Sequence, residues 1–277
     1  MIFITRAIQF GIVCAALVAC TTSQASWRYE EAQNHVGRIY YYERSNIDGS
    51  MDERITVFHR DNQKVEVYKE NGLCRNAALV TAEMDWSVFS ASKITGGQLQ
   101  PDAQHMEFAF LDWDRENKNL NILVKLPDAE IRESAPIASV PWHLYDFDFA
   151  SLTLATQHLA STISDFEFGM ALVWTDPAAG DPLTWMGDVS AQYVSKEERL
   201  GADAYRYKLL GTALLGDRST GKEGSLWLDA EDGHIVDAIL PMPSHAGYTD
   251  LRLRLLKISD GGDEEWTKLL KAHFEGC

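Results

Sequence analysis

Positive charge is scarce in this chain: 25 Lys and Arg stand against 41 Asp and Glu, a formal net charge of −16 at pH 7. That balance excludes coating nucleic acid or an anionic membrane by electrostatics. Catalytic signatures are scarce too. There is no Gly-x-Ser-x-Gly for a serine hydrolase on an α/β frame, and no glycine cluster opening a helix for phosphate. Cysteine is used four times, at 14, 20, 74 and 277.

The one marked apolar run near the start, Ala7 to Ala19 behind the single cation Arg6, has the length of a secretory h-region and is too short for a stable membrane anchor. Residues 1–19 therefore read as a signal peptide. The run ends in Leu17-Val18-Ala19-Cys20, which resembles the lipobox of bacterial lipoproteins, where the Cys after a small residue is diacylated and becomes the mature amino terminus. The resemblance implies a lipid on Cys20, a lead segment over 20–35 and, with Thr21 next, an outer-membrane address facing the periplasm. Ser23-Gln24-Ala25 is also a small-x-small site, which leaves a soluble periplasmic protein as the alternative. Removing 1–19 takes away Arg6 and no acid, so the mature charge is 24 − 41 = −17.

Cys14 leaves with the signal and Cys20 takes the lipid, so Cys74 and Cys277 remain. In an oxidising compartment two surviving cysteines are most simply one disulfide, with two separate thiols as the alternative. Two isolated cysteines supply too few ligands for a metal, and no cofactor or metal is expected.

What the chain has in abundance is strand. Between 204 and 258 four runs (204–210, 225–230, 234–240 and 248–255) read as strands joined by short turns, and the first and last alternate apolar and polar residues with a period of two. Asp232-Gly233 between two of them is a strong hairpin signal, because glycine supplies the positive φ that the reversal needs. Upstream, 36–44, 53–59, 64–69, 77–84, 87–95, 106–113 and 120–126 read as strands, the fifth closing at Gly96-Gly97. Strands at 166–174 and 185–194 follow a connector bracketed by Pro127 and Pro136. Leu152, Ala155, Leu159 and Ile163 predict a helix over 151–163, with Asp148 or Ser151 as its cap. Trp266, Leu269, Leu270 and Phe274 predict an amphipathic helix over 263–274.

The expected fold is therefore all-β: a large antiparallel meander forming a curved sheet, half-barrel or sandwich with about two short covering helices. The sequence implies a single domain over 36–277, with 36–126 and 142–277 as two possible half-sheets. Strands such as 226–228 and 235–240 are apolar on both parities and need cover on both faces.

Candidate chemistry is thin. Asp112 to Asn117 spaces oxygens like the start of a calcium loop but lacks its glycine and its closing Glu, so a charged hairpin tip is the better account. Asp146 and Asp148 put two carboxylates on one side of an extended segment, as an acid/base pair requires, although acids beside a helix start also serve as caps. His234 and His245 are too far apart for helix-spaced ligands. Arg206, Lys208, Arg252 and Arg254 share a polar parity facing Asp237 and Asp250, which predicts cross-strand ion pairs or an anion-binding stripe. The opposite parity, Tyr205, Tyr207, Leu251, Leu253 and Leu255, reads first as core and is the candidate ligand-lining surface.

The lipobox together with the meander through Gly224-Ser225-Leu226-Trp227-Leu228-Asp229 resembles the lipoprotein-carrier (LolA/LolB-like) group. The resemblance implies an unclosed barrel whose concave side holds acyl chains, but transfers no individual site residue. The functional expectation is a non-enzymatic envelope lipoprotein, held to the membrane by its lipid, that binds a hydrophobic ligand or a partner protein. A hydrolase working through Asp or His and a structural assembly subunit are the alternatives.

Overall fold

The computed structural model of the protein describes residues 27–173, 181–215, 219 and 223–277. The signal segment, the lipobox with Cys20, and Asp176-Pro177 lie outside the described residues. The chain runs β1 Ile39–Ser45, β2 Glu53–His59, β3 Lys64–Glu70, β4 Ala78–Asp85, β5 Ser90–Gln100, β6 Gln104–Asp114, β7 Asn119–Leu126, β8 Ala129–Pro136, β9 Trp142–Leu144, α1 Ala150–Ala155, β10 Phe166–Val173, β11 Leu183–Arg199, β12 Ala202–Leu210, β13 Gly224–Asp229, β14 Ile235–Leu240, β15 Leu251–Ser259 and α2 Gly262–Ala272.

All fifteen strands form one sheet in the order β8-β7-β6-β5-β4-β3-β2-β1-β15-β14-β13-β12-β11-β10-β9. Sequence neighbours pair antiparallel throughout, and only β9 and β10 run parallel. The two halves of the chain meet where β1 pairs with β15. β8 and β9 are the free edges, joined by residues 137–141, so the curved sheet expected from the alternation is unclosed, a point the alternation left open.

Three segments depart from the sequence reading. Residues 129–136, expected as connector, form the edge strand β8. Its exposed Glu130, Arg132 and Glu133 and its terminal Pro136 are the devices that keep an edge from recruiting further strands. β5 passes through Gly96-Gly97 to Gln100 with a bulge there, because a Cβ on Gly97 would lie 2.3 Å from the Met106 carbonyl oxygen. The helix over 151–163 stops at Ala155, and a 3-10 turn over Thr156–His158 leads to Leu159, which bridges Trp27 in extended form. Leu159 thus kept its apolar place in the pattern without being helical.

Inside the curve, the segment from Trp142 to Leu159 fills the concave face. Trp142, Tyr145, Phe147, Phe149, Leu152 and Leu154 are buried against the inward residues of both half-sheets. Each such side chain stabilises by about 1.5–3 kcal/mol on burial, so this plug is what the sheet closes around. Tyr145 Oη donates to the Met242 carbonyl at 2.6 Å and ties the plug to the β14–β15 loop.

On the convex face, α2 lays Trp266 and Leu270 over Phe58, Ile39 and Tyr68. Trp266 Nε1 donates to Glu66 Oε2 at 2.8 Å, and the Cys74–Cys277 disulfide fastens the end of the chain beside the β3–β4 loop. The outward residue of 226–228, Trp227, packs with Ala204 and Val236 under the Arg199 guanidinium, 4.0 Å from its ring. Both parities are therefore covered, as they must be.

Candidate ligand cavity

The sheet has two unlike ends. At one, the lead residues Trp27 to Arg38 cross the opening: Arg28 N donates to His158 O at 2.7 Å, and Tyr29 stacks on Trp86. At the other, among the β1–β2, β3–β4 and β14–β15 connections, lies a cavity of about 350 Å³. Its walls are inward residues of β4 to β7, among them Val80, Ile94, Leu111 and Ile122, together with Leu144 and Phe147 of the plug. Small-molecule sites occupy roughly 300–1,000 Å³ and are mostly apolar with a few convergent polar groups.

Convergent polar groups are present. Glu53, Lys69, Asp146, Ser244 and His245 line the same cavity. Behind them Asp148, fully buried, receives Lys69 Nζ at 2.5 Å on Oδ2 and Arg44 Nε at 3.1 Å on Oδ1. Lys69 also donates to the Asp146 carbonyl. Arg44 donates through Nη2 to Ser244 Oγ at 2.8 Å, reaches Glu53 at 3.5 Å and lies 3.6 Å from the centre of the Tyr248 ring. Ser244 Oγ in turn meets His245 Nδ1 at 3.0 Å.

Local backbone explains the placement. Between the 3-10 turn Tyr145–Phe147 and α1, Asp148 and Phe149 both adopt left-handed φ, 50° and 56°, a conformation sparsely populated by side-chain-bearing residues and recurrent at binding sites. The turn aims Asp148 at two cations. Neither expected cap operates: α1 starts on Phe149 with no side-chain cap, and Ser151 Oγ meets His143 Nδ1 instead.

The electrostatics follow from burial. Asp146 is pushed up to about 6, chiefly by burial, with only partial relief from Lys69 and from the Val173 amide at 3.1 Å. Burial also opposes the charge on Asp148, yet Lys69 and Arg44 outweigh it and hold that carboxyl below its ordinary value. Burial raises Glu53, with Asp148 adding to it. His245 is driven down to about 3, first by burial and then by Lys69.

The candidate ligand-lining residues sit elsewhere. Tyr207, Leu251 and Leu253 belong to the sealed core, with Tyr205 and Leu255 packed against it, and none of the five lines the apolar cavity. They lie on the other half of the sheet, where the plug and facing strands cover them. The basic stripe resolves into ion pairs. Arg252 and Arg199 both contact Asp237, Arg254 contacts Glu43, Lys208 contacts Glu223, and Arg206 lies over Trp227. Asp250 instead accepts from Ile47 N at 2.7 Å. Asp114 caps its own hairpin tip by accepting from Asn117 N at 3.0 Å. His234 bonds Asp232 at the far end of the sheet from His245.

The sequence reading did not single out Arg44, Glu53, Lys69 or Ser244. Comparison of the chain with protein-family models and with curated proteins finds no match.

Proposed function

We propose that this protein is a non-enzymatic envelope lipoprotein, anchored through Cys20, that holds one small hydrophobic molecule at the plugged concave face of its sheet. The observation that carries the reading is the apolar cavity of about 350 Å³ with its polar groups gathered at one end. The cavity is open on one side, so its apolar lining is left in contact with water, and an apolar molecule of matching size buries that lining at about 25 cal/mol per Å². An unclosed, curved sheet is also what the resemblance to lipoprotein carriers implies, and supports the reading.

Among the described residues that line the cavity, the contact of Ser244 with His245 is a feature that favours a hydrolase. Two facts weigh against that use: a base held near 3 accepts protons poorly at neutral pH, and the serine oxygen already accepts from Arg44.

The test is native mass spectrometry of protein extracted from its own envelope. The expected result is a chain beginning at Cys20 with added acyl mass, accompanied by a co-purifying apolar molecule. A chain beginning at Ser26 without lipid removes the anchor. A binding-competent chain that retains no molecule and takes up no apolar probe removes the cavity's role.

A further inference from the structure

The charges at the polar end of the cavity do not balance. Two cations, Arg44 and Lys69, serve three acids. Lys69 pairs with Asp148 and donates to the Asp146 carbonyl, and Arg44 donates to Ser244 and pairs with Asp148 and, more loosely, Glu53. That leaves the Asp146 carboxylate. Its Oδ1 accepts from Val173 N, while no cation among the described residues stands within ion-pair distance of it, and the residue is only half-buried. Asp146 and Glu53 both line the cavity. A half-buried carboxylate beside an apolar wall with no ion-pair partner bears part of a desolvation cost that a bound positive donor offsets.

We propose that the cavity takes a hydrophobic cation, an apolar molecule ending in a protonated amine, whose N–H groups donate to Asp146 with Glu53 alongside. This rests on the ligand-binding reading above and names the ligand class. An anionic end would meet two acids and no free cation, because both buried cations are already held by the protein. An alcohol could donate one hydrogen bond but would leave the charge unanswered. Burial raises the pKa of Asp146, with Asp148 adding to it and Lys69 relieving it only in part. The groups facing it are Lys69 from β3, Glu53 from β2, Asp148 from the plug, and Arg44 and His245 behind them.

The experiment compares decylamine, decanol and decanoate by isothermal titration calorimetry at pH 8 on the mature, folded chain. The expected order is amine tightest, alcohol weaker and carboxylate weakest. Asp146→Asn, which keeps an oxygen for the Val173 amide, is expected to weaken the amine about tenfold, more than it weakens the alcohol, as loss of one charge-assisted hydrogen bond requires. Glu53→Gln, checked for folding by near-ultraviolet circular dichroism, is expected to act in the same direction and supplies the test should Asp146→Asn fail to fold. Decanoate binding as tightly as decylamine, or amine affinity untouched by either variant, overturns the ligand class and leaves the hydrophobic site standing. If none of the three probes binds, the hydrophobic site falls as well.

Discussion

Lys69 and Asp148 form an ion pair at 2.5 Å with both side chains removed from solvent. Arg44 shares the same carboxylate at 3.1 Å, so the plug is held to β1 and β3 by charge as well as by packing. Buried pairs of this kind contribute little over an apolar replacement, but breaking one side leaves an uncompensated charge and costs about 3–5 kcal/mol. Lys69→Met is therefore expected to lower the urea unfolding free energy by about 3 kcal/mol, moderated by the Arg44 that remains. A loss under about 1 kcal/mol, the range of exposed pairs, would show that water reaches the cluster.

The fold was readable because its strands announce themselves by alternation and its turns by glycine and charge, from Glu53–His59 through Asp232-Gly233. The edge strand β8 was not, since an edge rich in Glu and bounded by proline looks like a linker. The site was readable in a way that periodicity alone did not exploit. Tyr40, Tyr42 and Arg44 lie on one parity, as do Glu53, Ile55 and Val57, and Val65, Val67 and Lys69. A charge on the apolar parity of a strand has to be paired inside, and three such charges near one end of adjacent strands mark a buried polar centre. Their partner Asp148 comes from the plug, more than seventy residues along the chain from Lys69, and no local pattern connects them. Tyr207 and Leu253 share an apolar parity with equal clarity, yet whether such a face becomes core or cavity depends on what the plug covers.

Histidine makes the protein acid-sensitive. Burial lowers His143 to about 3 and His59 and His158 to about 4. For groups whose folded value lies below the unfolded value of about 6.5, stability is full above 6.5 and is lost as pH falls through the folded values. Asp146, raised to about 6, has the opposite sign: its contribution is full below about pH 4 and lost as pH rises through 6. With His245 there are four histidines lowered this far, and they outweigh the two raised acids Asp146 and Glu53, so the urea midpoint is expected to fall steadily from pH 7 to pH 4. Among the described residues no partner meets either ring nitrogen of His59 in good hydrogen-bond geometry, and the residue is buried at 1% exposure. His59→Phe is expected to reduce the pH slope by about one proton and to match or exceed the wild type at pH 5. A variant with an unchanged slope would mean that His59 does not titrate with folding.

The Cys74–Cys277 disulfide closes a sequence separation of 203 residues and holds the end of α2 to the loop after β3. Loop entropy sets an upper bound of about 5 kcal/mol on its worth, reduced by residual structure in the unfolded chain. The paired change Cys74→Ser with Cys277→Ser is expected to lower the melting temperature while leaving probe affinity unchanged, because α2 packs on the convex face and the cavity opens on the other. Calorimetry with and without probe measures both. Two free thiols in unreduced, denatured wild type would refute the bond.

Filling the cavity separates ligand wall from core. Val80 lines the cavity and is half-buried, so a Trp there can extend into space that no side chain occupies. Leu253 is 1% exposed within the packed core, where added volume has nowhere to go and overpacking costs about 1–3 kcal/mol. Val80→Trp is expected to abolish binding of the decyl probes with little change in melting temperature. Leu253→Trp is expected to lower the melting temperature and to leave binding intact in the protein that remains folded. Titration calorimetry paired with thermal unfolding reads both quantities on each variant. The reverse pattern, binding lost at 253 and kept at 80, would move the ligand to the β12–β15 half of the sheet, where Tyr205, Tyr207, Leu251 and Leu255 would be its wall.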